Sequence, residues 1–82
     1  MAKHPSRPQQ WVAAAEKAVE ALEALRSLQE EYQAWSDGLP DNLRASVLAD
    51  KLDAITLIDV ASALRVAQEA AKVDLPRGFG RD

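Results

Sequence analysis

The chain has 82 residues, no cysteine, one histidine and a formal net charge of −3. That leaves room for one domain and excludes disulfide scaffolds, thiolate metal sites and cysteine nucleophiles. Forty-eight percent of the residues count as hydrophobic, but 16 of those 39 are alanine; a chain this short buries only roughly 60–65% of its unfolded surface, so the core of one copy is thin.

The charge is unevenly spread. Lys3 and Arg7 make residues 1–10 basic, twelve acids against six bases make residues 11–75 acidic, and Arg77 and Arg81 outweigh Asp82 at the end. A duplex-binding surface wants clustered Lys and Arg, which the body lacks. The acidic body reads first as a solvated face and otherwise suits a basic partner. No stretch approaches the ~20 apolar residues of a membrane span, and no apolar segment follows Lys3 and Arg7 as it would in a secretory signal. The expectation is a cytoplasmic protein with no cofactor, no metal and no membrane contact.

Residues 1–8 read as a disordered basic arm, 9–75 as a single helical domain and 76–82 as a flexible tail. Ser6 and Pro8 open the first helix, because proline lacks only an N–H that has no partner in the first turn. Gln9 to Ser36 contains neither Gly nor Pro and is rich in Ala, Glu, Leu, Gln and Arg, all good helix formers. Ser36-Asp37-Gly38-Leu39-Pro40 ends it, with Gly38 as a left-handed cap and Pro40 as a block.

Along this helix Trp11, Ala14, Ala18, Ala21, Leu25, Leu28, Tyr32 and Trp35 alternate steps of three and four, an a/d seam. A second stripe, Val12, Ala15, Val19 and Leu22, runs beside it and then dies out at Arg26, Gln29 and Gln33. Glu16, Glu20, Glu23 and Glu30 make the opposite, solvent stripe.

Leu39 to Leu43 reads as a tight connection or one helical turn. Ser46 is the expected N-cap of a helix over Val47 to Ile55, with Val47, Leu48, Leu52 and Ile55 inward. Thr56 and Asp59 resemble a capping box opening a helix over Leu57 to Val73. Its inward face is Leu57, Val60, Ala61, Leu64, Ala67 and Ala71; Ala63, Val66, Ala70 and Val73 form a weaker second face. At about 1.5 Å per residue the two short helices together nearly match the long one.

The fold class is therefore all-α: a long N-terminal helix packed antiparallel against two shorter ones. The a/d seam is expected to be buried in this hairpin, with Trp35 near Leu39, Leu43 and Leu48 and Trp11 near Ala71 and Leu75. The stripe Val12, Ala15, Val19 and Leu22 is then left over, and predicts a homodimer that covers it as a bundle-like assembly.

Few residues suit catalysis. Asp50, Asp53 and Asp59 are spaced for solvent exposure, and acid–base work needs a site that shifts a pKa. Glu30, Glu31 and Asp37 lack the spacing of a cation loop. His4 lies in the arm, outside the helical body. An enzyme is disfavoured.

Trp11, Tyr32 and Trp35 read as core first and as interface anchors second. The tail Leu75-Pro76-Arg77-Gly78-Phe79-Gly80-Arg81-Asp82 joins one aromatic to two arginines between glycines. It suits packing on the bundle, contact with a protein, or stacking on a single strand.

Tyr32-Gln33-Ala34-Trp35, Leu39-Pro40-Asp41-Asn42-Leu43, Ala49-Asp50-Lys51-Leu52 and the ending Asp74 to Asp82 together resemble short all-helical proteins of proteobacterial phages and mobile elements. The likeness spans roughly residues 11–82, and the closing octet is its most specific part. That group carries no assigned activity, so no catalytic residue transfers. The resemblance implies a setting in which small helical proteins act as inhibitors or regulators.

The expected function is thus a non-enzymatic interaction module that binds another protein through Trp11, Glu16, Glu20 and Glu23 or through Arg77, Phe79 and Arg81. The alternative is a nucleic-acid-associated regulator using Lys3, His4, Arg7, Arg77 and Arg81.

Overall fold

A computed structural model of the chain describes residues 6–76. Helix α1 runs Arg7–Asp37, a 3₁₀ turn covers Asp41–Leu43, α2 runs Val47–Thr56 and α3 runs Val60–Lys72. The described residues form no strand. The protein is an all-α hairpin in which α1 packs against both α2 and α3, a second layer bent into two pieces.

Capping explains most of the boundaries. The Ser6 hydroxyl accepts from the Gln9 N–H and the Gln9 side chain accepts from the Ser6 N–H, a reciprocal capping box with Pro8 in the first turn. At the other end the Gly38 N–H donates to the carbonyls of Ala34 and Trp35, and Leu39 N–H to that of Ser36. Gly38 has φ −90° and ψ 4°, so the expected left-handed cap is absent: the helix tightens over its last turn, and Pro40 prevents its continuation. Ser46 caps α2 as expected, accepting from Ala49 N–H.

The start of α3 differs from expectation. Asp59 is itself the N-cap, accepting from Ser62 N–H at 3.1 Å and from the Ser62 hydroxyl at 2.6 Å. The Thr56 hydroxyl turns back to the Asp53 carbonyl, and Leu57 closes α2 instead of opening α3. An aspartate three residues before a free N–H satisfies it directly, which outcompetes the proposed box.

The core has two parts. Leu39, Ala49 and Leu52 form a buried cluster beneath the carboxyl end of α1, with Leu43 and Leu48 packed against it; Leu52 is 2% exposed. Val60, Leu64 and Ala67 bury the inner face of α3. Val47 and Leu57, both expected to face inward, are instead solvent-exposed: Leu57 sits at the bend, and Val47 lies on the α2 face turned away from Leu52.

Candidate interaction surface

Helix α1 carries two apolar stripes one residue apart, and the second layer covers only one. Ala15 is 7% exposed, and Val12, Val19 and Leu22 are half-buried. This is the stripe expected to lie open for a second copy. Val12, Ala15, Val19 and Leu22 are thus largely covered within one chain, and the face expected to be open is the less exposed of the two. Further along the same stripe Gln29 and Ser36 are also half-buried.

Gln29 supplies a physical reason. At the bend between α2 and α3 the carbonyl oxygens exchange their regular helical partners for local turn bonds, Ile58 N–H to Ile55 and Val60 N–H to Ile58. The Gln29 side-chain amide donates to two of them, Ile55 and Ile58, each at 2.8 Å. The a/d stripe has only Leu25 and Leu28 at this level and no donor to offer. In the sequence Gln29 has the character of the polar end of a weakening apolar stripe. The available signal was a donor on helix one standing opposite the break between two helices.

The a/d stripe is consequently open. Trp11 is 48% exposed, Leu25 47%, Leu28 51%, Tyr32 37% and Trp35 51%, and Ala14, Ala18 and Ala21 between them are exposed as well. Trp35 stacks on Tyr32 with ring centroids 6.2 Å apart and stays outside the Leu39–Leu52 cluster it was expected to join. Trp11 does reach α3: its indole N–H donates to the Ala70 carbonyl at 2.7 Å. That bond bridges the two layers on one side. Val66 on α3 and Val73 just after it are exposed as well.

The acidic residues occupy the other side. Glu16, Glu20 and Glu23 line a shallow groove of about 270 Å³ with Val19, Gln68, Ala71 and Lys72. Arg77, Phe79 and Arg81, like Lys3 and His4, lie outside the described residues. So do the expected arm and most of the expected tail, whereas Ser6 to Pro8 belong to the capped start of α1.

The carboxylates considered for catalysis are scattered. Asp50 and Asp53 are exposed on α2. Asp59 is engaged in its cap, where the Ser62 hydroxyl and then the Ser62 N–H, with Arg65 nearby, hold its carboxyl below the usual range. Asp37 accepts from the Gln33 amide. Among the described residues no three His, Cys, Asp or Glu side chains are grouped to hold a metal ion, and no helix is long and apolar enough to cross a membrane.

Comparison of the chain with protein-family models, curated proteins and solved structures returns no match.

Proposed function

We propose that the protein is a non-enzymatic interaction module that docks on protein through the open a/d stripe of α1, in the inhibitory or regulatory role that the resemblance to mobile-element proteins suggests. The observation that carries this reading is the exposure of Leu25, Leu28, Tyr32 and Trp35 in a continuous row. Monomeric proteins seldom leave apolar patches beyond a few hundred Å² uncovered unless something binds there. Aromatic side chains at the centre of such a patch are the usual anchors of protein contacts.

The test is affinity purification from the host cell, with wild type beside Leu28→Glu and Trp11→Ala. Leu28 is exposed, so Leu28→Glu should keep the circular dichroism of the wild type. A protein recovered with wild type and lost with Leu28→Glu is the expected result, and a second copy of the chain counts. Recovery of the same proteins by both, or of none by either, overturns the reading.

A further inference from the structure

We propose, resting on that reading, that the occupant of the a/d stripe is a second copy of this chain, with the two α1 helices antiparallel and the two-fold axis at the level of Glu23. The proposal comes from the order of side chains along the open stripe. It is small in the amino-terminal half, with Ala14, Ala18 and Ala21, and bulky in the carboxyl-terminal half, with Leu25, Leu28, Tyr32 and Trp35. An antiparallel pair with its axis beside Glu23 sets Ala21 against the partner's Leu25, Ala18 against the partner's Leu28 and Ala14 against the partner's Tyr32. Trp11 then meets the partner's Trp35. Every layer joins an a position to a d position, and the three inner layers each join a small side chain to a large one. Knobs find room in this arrangement all along the seam.

The parallel alternative fits badly. In register it stacks Leu28 on Leu28 and Trp35 on Trp35 at one end, and alanine on alanine at the other. The helices would have to splay and pinch over a single seam about 36 Å long.

Charge supports the same register. The flank of the seam away from α2 and α3 carries Lys17, Ala24 and Glu31, all exposed. In the antiparallel pair Lys17 faces the partner's Glu31, twice by symmetry, and Ala24 faces its own copy across the axis. The other flank is the stripe of Ala15, Leu22 and Gln29, buried or half-buried beside the second layer, so in the pair the two second layers lie along the same side of the seam. The five large side chains leave on the order of 500 Å² of surface per chain open, which with the alanines approaches the lower range of stable interfaces. The assembly is therefore a dimer at tens of micromolar that dissociates on dilution.

The chain has no cysteine, so single-cysteine variants report the register directly. Ala18→Cys and Leu28→Cys are prepared separately, mixed in equal amounts and oxidised. The mixture should give a disulfide-linked dimer in high yield, and Leu28→Cys alone little. Light scattering of the wild type should give twice 8.9 kDa, falling to one chain for Leu28→Glu with unchanged helicity. If Ala14→Cys alone cross-links efficiently, the pairing is parallel and the proposal falls. If the wild type stays at one chain mass at tens of micromolar, self-pairing falls. The interaction reading then stands or falls separately, on whether the purification from host cells recovers a different protein that Leu28→Glu loses.

Discussion

The indole N–H of Trp11 donates to the carbonyl oxygen of Ala70, 59 residues away in the sequence, at 2.7 Å. This contact ties the first turns of α1 to the last turns of α3, where both helices would otherwise fray. Trp11→Phe keeps most of the ring and removes the donor. The expected loss is about 0.5–1.5 kcal/mol, at the low end because Trp11 is half exposed. Thermal unfolding followed by circular dichroism would show a midpoint lower by several degrees; an unchanged midpoint would mean that water replaces the carbonyl at no cost.

Gln29 gives a sharper case. Gln29→Glu keeps the shape but turns a donor of two hydrogen bonds into a carboxylate facing two carbonyl oxygens. The expected destabilisation at neutral pH is about 1–3 kcal/mol. The new carboxyl is favoured in its protonated form, so its folded pKa is raised. Its stability deficit relative to wild type should therefore be smallest at acid pH and grow as pH rises through that pKa. Equal deficits at acid and neutral pH would contradict the assignment.

Asp59 has the opposite sign. The Ser62 hydroxyl and N–H stabilise its ionised form and lower its pKa. Its contribution is thus present above the ordinary aspartate range and is lost as pH falls through the folded value. Asp59→Asn keeps an acceptor for the Ser62 N–H but has no charge to lose. The gap in melting temperature between wild type and Asp59→Asn should narrow as the pH is lowered below about 4, and a gap independent of pH would remove the cap charge from the account.

Gly38 is a place to gain stability. Its φ of −90° suits any L-residue, and a methyl group there would meet the Ala34 carbonyl oxygen at 3.5 Å, an ordinary contact. Gly38→Ala should stabilise the chain by about 0.4–1 kcal/mol by restricting the unfolded state. Denaturant melts that shift downward would show that the turn needs glycine after all.

Leu22 and Leu28 separate the two stripes. Leu22→Ala removes packing inside the hairpin and should cost about 1–2 kcal/mol, below the range for fully buried leucines. That loss is the same at every protein concentration. Leu28→Ala should change the single chain by no more than about 0.5 kcal/mol. It should instead flatten the rise of melting temperature with concentration that a dimer produces. Swapped behaviours would return the hairpin contact to the a/d stripe.

Much of this arrangement is legible in the sequence. Three helices, the Ser6 and Ser46 caps and the stop at Pro40 follow from residues whose local chemistry admits few alternatives. The inner residues Leu52, Val60, Leu64 and Ala67 follow from helical periodicity. The choice between the two stripes on α1 does not. Periodicity gives the angle of each side chain about the axis, and both stripes are apolar over the first half of the helix. Bulk favours the stripe with Trp, Leu and Tyr. The outcome goes instead with long-range hydrogen bonding: the Gln29 amide adds a donor to each of two carbonyls at the bend after α2 that otherwise have only local backbone partners. The same preference for local patterns misplaced the start of α3, where Asp59 caps Val60 instead of completing a box from Thr56.

The two stripes differ by one residue, so turning α1 about its axis by about 100° exchanges them. Either surface could in principle be folded inward. The Gln29 amide makes the two orientations unequal, because turning it away removes the second donor from the carbonyls of Ile55 and Ile58, which keep only their local bonds from the N–H groups of Ile58 and Val60. One side chain thus favours the orientation that turns the second stripe inward and leaves the a/d stripe exposed. An apolar residue at position 29 would weaken that choice before it weakened the helix, and the first sign would be a mixture of two hairpins rather than an unfolded chain.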